Sequence, residues 1–191
     1  MTDTITAIES LSTKLCPWLR PALERLEQAR VAERLGHAWL IVGPESTGKL
    51  NLALVFAGRL LAASPQEPAE LGPAEAIAAM HARHQPLDHH PDLHWVFPAE
   101  DKRTIAVEQI RDVSEALALK AFRGRAKVVV IEPADAMTTA AANALLKTLE
   151  EPAEDTYLLL LSHRPGRSGR DHPAPARCRP VTARTCQSDP R

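Results

Sequence analysis

The chain has 191 residues, 45% of them apolar and 25% charged, and a net charge of −1. That length suits one sizeable domain with little more beside it, and near-neutrality argues against a global electrostatic pull on nucleic acid. No apolar run approaches the roughly 18 residues of a membrane span, the amino terminus lacks a basic-then-apolar leader, and three scattered cysteines (Cys16, Cys178, Cys186) argue against a disulfide scaffold, so a cytoplasmic location is the default expectation.

In chain order, residues 17–35 carry apolar Leu23, Leu26, Ala29 and Val31 with charges between them, the pattern of an amphipathic helix. "HAWLIVG", 37–43, is a short apolar run ending in glycine, which predicts a buried strand feeding a turn. Residues 48–63 predict a helix. Residues 64–91 are rich in Pro, His and Glu and predict a long connection with a short helix inside. "DLHWVFP", 92–98, predicts a second strand. Val107, Ile110, Val113 and Leu117 then step at helical spacing. "KVVVIE", 127–132, is a continuous β-branched run and predicts a central strand. "MTTAAANALLKTLEEP" predicts a helix with Thr138 or Thr139 as N-cap and Pro152 just past its end. "TYLLLLS", 156–162, predicts a fourth strand.

Strands alternating with helices predict an α/β fold, a parallel sheet with helices on both faces. The organisation is then an N-terminal helical segment (1–36), a core (37–162) and a tail (163–191). The tail holds seven Arg, five Pro and no Leu or Ile. It cannot bury enough apolar surface to offset ordering entropy, so it is expected to be largely disordered.

The chemistry centres on "GPESTGK", residues 43–49. Gly43, Gly48 and Lys49 have the spacing of a phosphate-binding loop, placed between a strand and a helix as such a loop requires. Backbone N–H groups of the loop would cradle an anion, and Lys49 would reach the β- and γ-phosphates. The next position normally supplies a hydroxyl to Mg²⁺; here it is Leu50. Hydrolysis also wants an acidic residue at the end of a second strand and a following base. Glu132 fits the first role. Pro133 occupies the second and has no proton-accepting group. Asp135 is three residues on and is expected to point elsewhere. No metal ligand set is assigned, and the loop is read as degenerate.

"HAWLIVGPESTGK", "HPDLHW", "KVVVIEPADAM", "NALLKTLEEP" and "LLLLSHRPGR" together resemble the clamp-loader branch of the AAA+ ATPases. Within it they are most similar to the delta-prime type of bacterial DNA polymerase III, over roughly residues 16–167. The resemblance implies a P-loop NTPase fold of AAA+ type. It implies a stator that does not hydrolyse ATP, within the DNA-directed DNA polymerase holoenzyme, a nucleotidyltransferase complex that loads a sliding clamp during DNA replication. Its implied partners are the tau/gamma and delta subunits, and the sliding clamp and primed DNA through the complex. Ser162 takes the position of the sensor residue after the fourth strand.

The family also offers an arginine to a neighbour's ATP site, from a Ser-Arg-Cys triplet that follows Thr-Ile-Arg. The nearest match is Arg177 in "ARC", about two residues late. Asp171 stands where the family's Thr should be. Codons for Asp-His-Pro such as GAC-CAT-CCG encode Thr-Ile-Arg one base along, so a shifted reading frame is one explanation of the tail. The family's lid and collar domains are expected to be absent. Many members carry a four-cysteine zinc module before "HPDL". Here His81, His84, His89, His90 and His94 stand without thiolates, and no zinc is expected. No cofactor is required, and ATP binding is left open. Two alternatives stand beside the stator: a functional tau/gamma-like ATPase using Lys49 and Glu132, and a truncated, non-functional fragment. Among smaller features, Trp18 and Trp39 read as packing residues. Lys120, Arg123, Arg125 and Lys127 read as a solvated basic turn, and Lys147, Glu150 and Glu151 as a solvated helix end.

Overall fold

A β-branched run and a leucine run, 127–131 and 156–162, form the centre of the molecule because both faces of the sheet they join are covered. The computed structural model describes residues 15–61, 91–122 and 126–163, and the backbone of 177–180. A single 3₁₀ turn, Pro17–Leu19, leads into α1 (Arg20–Val31). There follow β1 (Ala38–Val42), α2 (Lys49–Leu61), β2 (Leu93–Val96), α3 (Val107–Ala118), β3 (Lys127–Ile131), α4 (Thr139–Glu150), β4 (Thr156–Ser162) and β5 (Arg177–Pro180).

The strand order is β2-β3-β4-β1-β5. The first four strands run parallel, with Ile131 beside Leu160 and Val42 beside Ser162. Successive side chains of a strand point to opposite faces, and the core divides accordingly. Trp39, Ile41, Val128, Val130, Leu159 and Leu161 pack with α1 and α2. Ala38, Val129, Ile131, Leu158 and Leu160 pack with α3 and α4 on the other face. This is the expected α/β architecture, with the glycine loop between β1 and α2. Helix α2 is buried nearly all round, which an unusually apolar helix permits.

Local chemistry sets the helix ends. Thr138 accepts the Ala141 N–H at 3.1 Å and is the N-cap of α4. Gln109 accepts the Ala106 N–H and donates to the Phe97 carbonyl, joining the start of α3 to the chain after β2. Lys127 differs from its expected place in a solvated turn. Its side chain is buried, and its ammonium donates to the Leu117 and Leu119 carbonyls at the end of α3. A cation there satisfies orphan carbonyls and complements the helix dipole.

The tail also differs from expectation at one place. Residues 177–180 form β5, antiparallel to β1, with Arg177 opposite Val42 and Pro180 opposite Trp39. Backbone pairing to an open sheet edge needs no apolar side chains, so composition alone could not indicate it. The expected connection at 64–90 and the basic residues Arg123 and Arg125 lie outside the described residues.

Candidate functional site

The carboxyl ends of β1, β3 and β4 converge, and ligands of open α/β sheets bind at such ends. There the Gly43 N–H donates to the Ser162 carbonyl at 3.2 Å, tying the start of the glycine loop to the end of β4. Gly48 has φ +80°, which favours glycine. A Cβ at this position would stand 3.1 Å from Leu19 Cδ1 and 3.6 Å from Cys16 Sγ. The segment before α1 therefore backs the loop closely. Trp18, expected as packing, is exposed, and its indole N–H donates to the Thr47 carbonyl at 3.0 Å. Trp39 is buried in the core.

Lys49 is 2% exposed. Its ammonium donates to the Pro44 carbonyl within the same loop at 2.5 Å. The Thr47 hydroxyl donates to that carbonyl too, at 2.8 Å. Burial lowers the Lys49 pKa, opposed by the negative charges of Glu132, Glu45 and Asp135. The Pro44 carbonyl therefore accepts from both Thr47 and Lys49 within the loop.

Glu132 follows β3 and is pushed from 4.5 to about 7 by burial, opposed by the Lys49 charge. His163 Nε2 stands 3.9 Å from its carboxylate. Burial, then the positive charge of Lys49, lowers the His163 pKa. Asp135, expected to point elsewhere, reaches back to the end of β4. The Ser162 hydroxyl donates to both its oxygens, at 2.9 and 3.0 Å, and the His163 N–H donates at 2.7 Å. A short 3₁₀ turn, Ala134–Ala136, swings it there. Gly43, Gly48, Lys49, Glu132 and Ser162 are therefore gathered at one end of the sheet, with Asp135 and His163 added. The sequence held no local signal for those two, since their contact spans 28 residues. Arg177 enters through its backbone position opposite Val42.

The hydroxyl that a phosphate loop ordinarily offers to magnesium is missing from this set of residues. Leu50 is a core side chain and offers no oxygen. Pro133 has no base to offer. Of the histidines considered for zinc, His94 lies half-buried in β2 with its pKa lowered chiefly by burial; the other four lie outside the described residues.

Comparison with known proteins shows the family of the chain. A family profile described as DNA polymerase III, delta subunit, matches residues 18–168. The DNA polymerase III delta-prime subunit of Pseudomonas aeruginosa is 43% identical over 131 residues, 69% of this chain and 38% of that protein. The delta-prime subunit of Escherichia coli is 38% identical over 151 residues, 79% of this chain and 44% of that protein. The tau subunit of Bacillus subtilis is more distant, 26% identical over 152 residues, 73% of this chain and 23% of that protein. The matched part of this chain spans less than half the length of each of these relatives. Strand β5 lies beyond the residues that the family profile matches.

Proposed function

The chain belongs to the DNA polymerase III delta-prime family, and from that premise we propose that it is a clamp-loader subunit that supports ATP hydrolysis by others and performs none itself. One observation carries the non-catalytic part. Leu50, a core side chain, stands where a working phosphate loop supplies the Mg²⁺ hydroxyl. Leu50 and Pro133 remove the metal hydroxyl and the base at two independent places. Each loss would lower a hydrolysis rate by orders of magnitude.

In this reading the chain is a cytoplasmic stator. It contacts tau/gamma and delta subunits and acts on a sliding clamp and primed DNA through the assembled machine. Neither nucleotide nor metal is needed for that role. Arg177 is the candidate for the arginine offered to a neighbouring ATP site. Two measurements test the proposal. Purified chain with Mg²⁺ and ATP should turn over no faster than a Lys49→Ala control. Immobilised chain should retain tau/gamma or delta subunits. Mg²⁺-dependent turnover abolished by Lys49→Ala would replace the stator by an ATPase of the tau/gamma kind. Failure to retain any subunit would remove the assembly role.

A further inference from the structure

Two donors at the end of β4 converge on one carboxylate. The Ser162 hydroxyl donates to both oxygens of Asp135, at 2.9 and 3.0 Å, and the His163 N–H donates to one of them at 2.7 Å. Hydrogen bonds to an ionised acceptor are the short, strong ones. A hydroxyl and a neighbouring backbone N–H are also donors with which proteins hold phosphate oxygens. The Lys49 ammonium is near enough for the Asp135 charge to act on it. The Ser162 carbonyl accepts the N–H of Gly43, the first residue of the glycine loop. The two donors therefore lie at the loop end of the sheet, beside a cation, where an incoming anion would meet them. Asp135 arrives there on the 3₁₀ turn Ala134–Ala136 and is itself exposed to solvent.

This is the arrangement of an anion site filled from within. We propose that Asp135 is an internal stand-in for a phosphate-type anion, and that its carboxylate keeps free phosphate and the terminal phosphate of a nucleotide from the donors of Ser162 and His163. A ligand carried on the same chain competes at a high effective concentration, so an external anion at comparable concentration does not displace it. The carboxylate also repels that anion by its charge. Glu45 and Glu132 act on Lys49 as well, but the bonds from the Ser162 hydroxyl and the His163 N–H go to Asp135. The inference goes beyond the stator reading. It concerns what this end of the sheet excludes, and assembly with other subunits does not depend on it.

The test uses the full chain as parent, Asp135→Asn, Asp135→Ala and an Asp135→Ala, Ser162→Ala double variant. Each is titrated with inorganic phosphate and, separately, with ATP, and binding is followed at the His163 amide resonance. Asp135→Asn keeps the shape of the side chain, so the comparison survives if Asp135→Ala fails to fold. Affinity for phosphate should rise in both single variants, by about tenfold or more in Asp135→Ala. It should fall back in the double variant, which lacks the Ser162 hydroxyl. A gain for phosphate and ATP alike supports a site for either source of the anion. A gain for one probe alone supports the proposal for that source. Parental affinity of Asp135→Asn for both probes overturns it. So does an equal gain in Glu45→Gln, which removes a nearby charge and leaves the partner of the two donors in place.

Discussion

Lys49 and Glu132 lie close enough at the end of the sheet for the charge of each to act on the other. The Lys49 ammonium has a loop carbonyl as acceptor, and its charge opposes the burial-driven rise of the Glu132 pKa. Lys49→Ala removes one of the two donors to the Pro44 carbonyl, leaving Thr47 as the other, and takes away the cation near Glu132. We expect a loss of about 1–3 kcal/mol in unfolding free energy, read from urea midpoints, with no change in ATP turnover. A variant as stable as the parent would show that the loop does not depend on this bond.

Glu132 supplies a pH dependence. Its folded pKa, about 7, lies above the ordinary 4.5. A raised carboxyl favours the folded chain in its neutral form. That stabilisation is complete below about pH 4.5 and is lost as pH rises through 7. Glu132→Gln stays neutral throughout. It should therefore match the parent near pH 5 and exceed it at pH 8, by on the order of 3 kcal/mol. Unfolding curves at the two pH values check this, and a difference that does not change with pH contradicts it. The residues of this cluster were partly legible in sequence. The spacing of Gly43, Gly48 and Lys49 is a local pattern, and Glu132 ends a recognisable strand. The protonation of Glu132 and the bonds of Asp135 depend on burial and on contacts across 28 residues, which no local pattern carries.

The glycine loop and α4 allow separate tests. At Gly48, φ +80° and the nearby Leu19 leave little freedom for a side chain. Gly48→Ala should destabilise by roughly 1–3 kcal/mol through strain in the loop. A thermal midpoint equal to the parent's would refute the tight backing of the loop. At the start of α4, Thr138→Ala removes the hydroxyl that accepts the Ala141 N–H and should cost about 1 kcal/mol; Thr138→Ser should restore most of it, as denaturant melts can show. The strand-loop-helix order was readable because apolar runs and 3.6-residue spacing report burial directly. The helix ends were less so. Residues 104–106 and 119–122 continue the composition of α3, yet Gln109 and Lys127 stop the helix at both sides by bonding its backbone.

The order of strands places β1, which feeds the loop, beside the antiparallel β5. Strand β1 is apolar throughout, "AWLIV", and an uncovered apolar edge invites pairing with another chain. Ending the chain after His163 should therefore produce concentration-dependent self-association in sedimentation velocity. A truncated chain that stays monomeric at all concentrations would mean that β5 is not what protects the edge. The four parallel strands and both helical layers were legible because each buries a patterned face. Strand β5 was not, because "RCRP" contributes backbone pairing and no apolar pattern.

The indole of Trp18 has a practical consequence. It is the exposed member of three tryptophans, and its N–H is fastened to the Thr47 carbonyl of the glycine loop. Trp39 lies in the core, and Trp95 packs against it in part. The chain thus carries a native optical probe at the loop, with the other two indoles packed in or against the core. Any molecule that entered the loop and moved Thr47 would change the emission of Trp18, so occupancy can be followed by stopped-flow fluorescence on unlabelled protein.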